Sequence, residues 1–550
     1  MMMLVVLLAC SDEFTEPTAD VGALSGEALQ NELGVDLLIT GAYSVLDGMN
    51  NRGGADWHTT GDNWWLDVIS DDAHKGSTDG DQADLYSLEV LDWSTANPYV
   101  KGKWSAVLSG VNRCNAALDL MTKVEGDFTA KEAEVRFLKA HYNFELQKMW
   151  GNVPFISLEN YQATDFNQPN SGAIWDKIEA DFQFAVDNLP ETQDEPGRPT
   201  KWAAKAFLAK TKLYQSNWAD ALTMFEDIIQ NGPYSLLPEF VDNFRLAGDN
   251  SAESVFAIQF TADGGQSYNG NRGGTLNFGG PNGWCCGFYQ PTQDLVNAFQ
   301  TDAGGLPLLD TYNQTDVASD YGIASDAAFT PHTGNLDPRL DYTVGRRGIE
   351  YNGWGVNPGK EWIRAKPADI SGPYLPKKNI YYNGEDGNMG TGSWGQQRSG
   401  INYHIMRYSD VLLMAAEAAV ETGDNAKALT YVNMVRTRAK DMSYVKDAAG
   451  NNAATYKIEA YTAFADQAMA RKAVRFERRL EFGMEGKRLF DIRRWGNGVD
   501  IMNAYFTNEA RTITSFAGDP KPYEAKHNVL PIPLAAIDLS QDVLIQNSGF

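Results

Sequence analysis

The chain has 550 residues, 43% hydrophobic and 21% charged, with a formal net charge of −26 and a pI near 4.6. That acidity argues against nucleic acid and against docking on anionic lipid through a basic face, and no apolar run is long enough for a membrane span. It favours neutral ligands, for which the 14 Trp residues supply stacking faces wherever they stand in solvent-facing loops.

The chain opens MMMLVVLLAC, an apolar run ending in a lipobox pattern that puts a lipid on Cys10. Residues 1–9 read as the remnant of a signal peptide whose basic and apolar regions are curtailed, which points to a true start upstream of Met1. A cytosolic chain with a chance apolar start is the alternative. Residues 10–25 form a polar tether. A helix is expected from Glu27 to Leu46, followed by a Gly/Asp-rich loop carrying Trp57, His58, Trp64 and Trp65. Further helices are expected over Val100–Met121, Lys131–Trp150 and Ile174–Asn188, and one opened by Thr200 runs to Gln215. With the helix that lines up Ala221, Leu222, Phe225 and Ile229, this last one makes a tetratricopeptide-like pair. From about 240 to 402 the periodicity fades, apart from a short helix at Gln293–Phe299 and strand candidates at Ser254–Phe260 and Tyr342–Val344. A second helix pair follows at Tyr408–Thr422 and Asn425–Ala439.

The expected fold is therefore mostly α: a tetratricopeptide-like helical repeat superhelix with a loop-rich irregular region carrying a few short strands. Residues 26–240 form an N-terminal helical part and 241–550 a C-terminal part, loop-rich over 241–402 and helical over 403–550, together one compact unit. Long irregular stretches on a rigid scaffold are usually functional loops.

Candidate chemistry is sparse. Adjacent Cys285 and Cys286 could bond only through a strained ring, and Cys114 reads as a buried thiol. Asp79, Asp81 and Asp84 hint at a structural calcium, but no metal motif supports one, and a solvated acidic loop is the default reading. No nucleophile elbow or phosphate loop is present, so no catalytic residue is assigned. Trp93, Trp284 and Tyr289 lie in loop-like surroundings where their faces could stack on a sugar ring. Asp71, Asp72 and Asn97 could satisfy its hydroxyls.

Against the acidic trend, the stretch from Arg471 to Trp495 is rich in Arg, Lys and Glu. Helical spacing pairs Arg478 with Glu481, Glu485 with Arg488 and Lys487 with Asp491, while Gly483 and Gly486 break the segment into two short helices. Arg478, Glu481, Glu485, Arg488, Asp491 and Arg494 are read as a semi-buried ionic network.

The run Glu477-Arg478-Arg479-x-Glu481, Glu485-Gly486-x-Arg488, Asp491-x-Arg493-Arg494-Trp495 resembles the C-terminal signature of the SusD/RagB family of Bacteroidota surface lipoproteins. AEVRFLKAHYNFELQKMWGNVPF, the Ser70-Asp71-Asp72-Ala73 element and the closing NVLPIP and NSGF are similar to family patterns, so the resemblance runs from Cys10 to Phe550. It implies a SusD-like fold with four tetratricopeptide-like pairs and no enzymatic activity. The acidic Ser11-Asp12-Glu13 after Cys10 resembles a surface-export signal, which implies an outer-membrane protein anchored by lipid alone, facing the exterior. The family role would be to capture a glycan and hand it to a SusC-like TonB-dependent transporter, as a lid over the barrel. Peptide in place of glycan and a glycoside-degrading enzyme are the alternatives. GGPNGWCCGFYQPTQDL resembles a family segment beside the carbohydrate site.

Overall fold

The computed structural model describes residues 29–48, 64–162, 167–262, 280, 286–364, 372–378, 380–385, 389–391 and 397–550. Cys10, Trp57, His58, Trp284 and Cys285 lie outside the described residues.

Sixteen α-helices occur among the described residues. The first, α1 (Glu32–Tyr43), starts five residues later than its apolar periodicity suggests, because the Asn31 carboxamide caps it by accepting the Gly34 N–H at 3.0 Å. After two short helices, α2 (Trp64–Val68) and α3 (Ala83–Glu89), come the long pair α4 (Pro98–Met121) and α5 (Thr129–Trp150). The array continues through α6 (Trp175–Asn188), α7 (Lys201–Tyr214) and α8 (Trp218–Asn231), each packed on the one before. Small side chains permit the close approach: Ala203, Ala204, Ala206 and Ala209 of α7 are fully buried.

The irregular stretch then interrupts the array without ending it. It holds two short helices, α9 (Gln293–Ala298) and α10 (Leu340–Thr343), before the array resumes at α11 (Tyr408–Glu421), which packs directly on α8. From there it passes through α12 (Asn425–Asp441) and α13 (Gln467–Phe482). The chain closes with α14 (Arg488–Arg494), α15 (Gly498–Thr512) and α16 (Leu534–Leu539). Alternating helices thus share one apolar interior, as stacked pairs must, since no single pair buries its own face.

Strands are few and antiparallel: β1 (Ala73–Gly76), β2 (Ser254–Ile258), β3 (Phe288–Pro291), β4 (Val344–Gly345), β5 (Leu375–Pro376), β6 (Met389–Thr391), β7 (Gln397–Ser399) and β8 (Tyr403–Arg407). They form four two-stranded sheets, β1–β3, β2–β8, β4–β5 and β6–β7. The β2–β8 pair matches Ser254 to Arg407 and brings the two ends of the irregular region together. Phe256 of β2 then meets Phe137 at 4.8 Å and Phe207 at 5.9 Å, tying the region to α5 and α7. The expected strand at Tyr342–Val344 is mostly helical turn: Tyr342 and Thr343 close α10, and only Val344 enters a strand, β4.

Candidate functional site

The two helices expected around Gly483 and Gly486 are α13 and α14, joined through Met484 and Gly486 in left-handed backbone (φ 66° and 70°). All six network residues are buried in ion pairs, but not with the partners that helical spacing suggested. Arg478 bonds Asp491 at 2.8 Å and Asp410 at 2.9 Å, and Lys487 reaches Asp410 at 3.2 Å. Glu481 accepts from Arg339 at 2.9 Å, Arg407 at 2.5 Å and Arg438. Glu485 takes Lys378 at 2.7 Å and Arg407 at 3.0 Å, while Arg494 bridges Asp491 at 2.8 Å and Glu417. Burial pushes the Glu481 carboxyl up, but the guanidiniums of Arg438, Arg407 and Arg339 outweigh it and hold the group well below its ordinary range. The partners come from distant segments because a guanidinium fork in a dry core matches the nearest complementary carboxylate in space.

That network also claims two residues expected to face a ligand. Asp71 and Asp72 are fully buried. Arg488 grips Asp71 bidentately at 2.8 and 2.7 Å, and Arg479 reaches Asp72 at 2.9 Å and Asp294 at 2.7 Å. Burial raises both carboxyls, yet Arg479 and Arg488 bring Asp71 down to about 2, while Asp72 stands at about 6. The expectation that they bind sugar hydroxyls is corrected: these carboxylates anchor the N-terminal part to α13 and α14.

Asn97 is likewise structural. Its carboxamide oxygen caps α4 by accepting the Tyr99 N–H at 2.9 Å, and its amide donates to the Asp84 carbonyl at 2.8 Å. Tyr289 is buried with φ 59°, and its hydroxyl donates to Asp67 at 2.5 Å. Trp93 is half-buried: its indole N–H donates to the Leu88 carbonyl at 2.8 Å, and its ring stacks on Phe550 at 6.0 Å with His527 edge-on at 4.9 Å. The protein itself engages that ring. Cys286 is disulfide-bonded and Cys114 is a free buried thiol.

The acidic loop after β1 is organised from inside. The buried Lys75 ammonium donates to the carbonyls of Gly76 (2.9 Å), Thr78 (2.9 Å) and Asp81 (2.8 Å). That ammonium thereby ties the loop back to β1. Among the described residues no group of three or more His, Cys, Asp or Glu is arranged to hold a metal.

Outside this core, Arg364 and Cys286 meet beside the β1–β3 pair. The Gly280 N–H donates to the Trp362 carbonyl at 3.0 Å. Arg364, with its side chain 42% exposed, donates to the Cys286 carbonyl (2.9 Å), the Ser77 hydroxyl (3.0 Å) and Asp81 (2.9 Å). Gly287 has φ 73°, and a Cβ there would stand 2.9 Å from the Arg364 Cβ, so the approach requires glycine. The partly exposed guanidinium of Arg364 and the Asp81 carboxylate therefore share one face beside β1 and β3. Sequence reasoning did not single out Arg364; nothing in the local pattern places it against Ser77 and Asp81. Two surface clefts of about 470 and 500 Å³ lie elsewhere, one lined by Trp104, Leu108, Tyr161 and Leu539, the other by Phe128, Arg136, Phe155 and Lys177.

Among the described residues no helix is long and apolar enough to cross a membrane. A family model described as "SusD family" matches residues 252–550, and one described as "Starch-binding associating with outer membrane" matches residues 36–213. SusD-like protein P25 of Formosa agariphila is 25% identical over 546 residues, which cover 95% of this chain and 93% of that protein. The crystal structure of a SusD-like protein from Bacteroides fragilis superposes with a TM-score of 0.70 at 23% identity, over 96% of this chain and 99% of that one. Surface glycan-binding protein A from Bacteroides thetaiotaomicron, solved in complex with laminarihexaose, superposes with a TM-score of 0.65 at 20% identity, over 94% and 99% of the two chains. With more than half its length matched by the family model and its fold shared from end to end, the chain belongs to the SusD family.

Proposed function

We propose that this protein captures a glycan at the cell surface and delivers it to a SusC-like TonB-dependent transporter, for which it serves as lid. Membership of the SusD family carries this reading, supported by the fold it shares with a surface glycan-binding protein solved with laminarihexaose. The protein sits on the outer membrane through a lipid on Cys10, and tethering keeps it at high effective concentration over its partner while leaving it free to move. No bond is broken, and no metal or cofactor takes part.

Capture takes place on the Arg364 face. Arg364 and Asp81 offer a fixed donor and acceptor to sugar hydroxyls, and Trp284, two residues before Cys286 in the sequence, is our candidate stacking surface. Affinity gel electrophoresis of protein lacking residues 1–28, run through laminarin and a panel of neutral and acidic plant and algal polysaccharides, tests this. One glycan should retard the protein, and Trp284→Ala or Arg364→Ala should remove most of the retardation, whereas Trp93→Ala should leave it. Binding of unmodified peptides with no retardation by any glycan would overturn the carbohydrate reading.

A further inference from the structure

The helical array encloses a cavity of about 50 Å³ where its earlier and later helices face each other, lined from α4, α5, α7, α11, α13 and α14. Charged side chains dominate its wall, and nearly all are matched. Lys148 pairs with Glu145 at 2.6 Å, Lys487 with Asp410 at 3.2 Å, and Arg478 with Asp410 and Asp491 at 2.9 and 2.8 Å. Arg494 is held by Asp491 and by Glu417 from behind the wall, and Lys103 is also engaged.

Lys210 of α7 is the exception. Among the described residues its ammonium has no carboxylate within 4.0 Å and no hydrogen-bond acceptor. It faces the rings of Phe144, Phe207 and Tyr214 at 5.4, 5.9 and 6.0 Å, and part of its surface remains accessible to a small solute. His141, on the same wall, is 6% exposed and its Nδ1 lies buried with no partner among the described residues. Burial lowers His141 to about 4, so it is a neutral imidazole that can carry its proton on Nδ1 and donate it. Burial, then the nearby charges of Lys487 and Lys148, lowers Lys210 to about 7.

A surplus ammonium in a low-dielectric pocket is costly unless something neutralises it. The cavity exceeds the roughly 10–15 Å³ that one water needs and is far too small for a pyranose. We propose that the cavity binds a small inorganic anion, chloride or phosphate, on the Lys210 ammonium with the His141 imidazole as second donor. The anion completes the charge balance of the ionic centre and makes the folded state sensitive to its concentration. This site is separate from the capture face and stands or falls independently of it.

Thermal unfolding in gluconate, an anion too large to enter, provides the reference state. Replacing gluconate stepwise by chloride or phosphate at constant ionic strength and pH 6.5 should raise the Tm of the wild type along a saturating curve. Lys210→Met should melt in gluconate no lower than the wild type and show no such rise. An equal rise in Lys210→Met, or none in the wild type, would overturn the proposal. Wild-type crystals soaked in bromide supply a readout that needs no variant: an anomalous peak is expected beside Lys210 Nζ, and an empty cavity at saturating bromide sinks the site.

Discussion

At the scale of single residues, the ionic centre is a set of buried charges whose strength depends on every partner being present. Glu481 accepts from three guanidiniums, so Glu481→Gln strands cations that have no route to water. Breaking a buried pair on one side costs about 3–5 kcal/mol, against about 0–1 kcal/mol for an exposed pair such as Lys123–Asp119. Urea unfolding should show Glu481→Gln destabilised on the larger scale and Asp119→Asn nearly unchanged; similar small losses would mean that water reaches the centre. His74 makes a different prediction. It is fully buried between Glu89 (2.7 Å) and Glu509 (2.8 Å). Burial would lower its pKa, but hydrogen bonds to Glu509 and Glu89 overcome this and raise it to about 10. A raised folded-state pKa gives stability that is complete below the unfolded value near 6.5 and disappears as pH climbs through about 10. Lys377 and Lys378, lowered by burial to about 8, push the other way, so the readout is the difference between two proteins. The stability advantage of wild type over His74→Gln should shrink by up to about 1.4 kcal/mol per pH unit between pH 6.5 and 10. A constant difference across that range would show that the imidazole is neutral.

At the scale of elements, the same substitution has opposite signs on neighbouring helices. Gly110 of α4 lies over the ring of Tyr142 in α5, where an added Cβ would stand 2.7 Å from three ring carbons. That ring cannot yield freely, because its hydroxyl donates to the Ala42 carbonyl at 2.7 Å. Gly41 of α1 has nothing within 4 Å of its would-be Cβ. Alanine gains about 0.5–1 kcal/mol over glycine within a helix, while overpacking a close contact costs about 1–3 kcal/mol. Gly41→Ala should therefore raise the Tm and Gly110→Ala lower it; a stabilised Gly110→Ala would show that α4 and α5 have slack between them. The helices themselves were legible in the sequence, from α4 through α8 and again at α11 and α12, because apolar spacing reports which face is buried. The structural roles of Asp71, Asn97 and Tyr289 were not, since such residues look the same in sequence whether they face solvent or cap, pair and brace the core. Nor does spacing reveal that Arg488 bonds Asp71, a partner brought close only by the fold.

At the scale of the whole molecule, the division at about residue 240 is one of texture, and we expect it to have no thermodynamic counterpart. The contacts that cross it are those of a single core. Asp71 and Asp72 are neutralised by Arg488 and Arg479, Phe137 and Phe207 pack on Phe256, and α8 finds its neighbour in α11. The Trp150 indole N–H donates to the Pro531 carbonyl at 3.0 Å, and the Leu530 N–H to the Met149 carbonyl at 2.8 Å. Separating residues 26–240 from 241–550 would strip Asp71, Asp72 and Arg488 of these partners, leave Arg479 with Asp294 alone among its carboxylates, and expose the apolar face of α8. Each uncompensated buried charge costs several kcal/mol, comparable to the whole net stability of about 5–15 kcal/mol typical of a domain. Expressed alone, neither half should show a cooperative thermal transition, whereas co-expressed halves should associate and melt together near the intact chain. A sharp, reversible transition in either isolated half would mean that the crossing contacts join two domains that are stable by themselves.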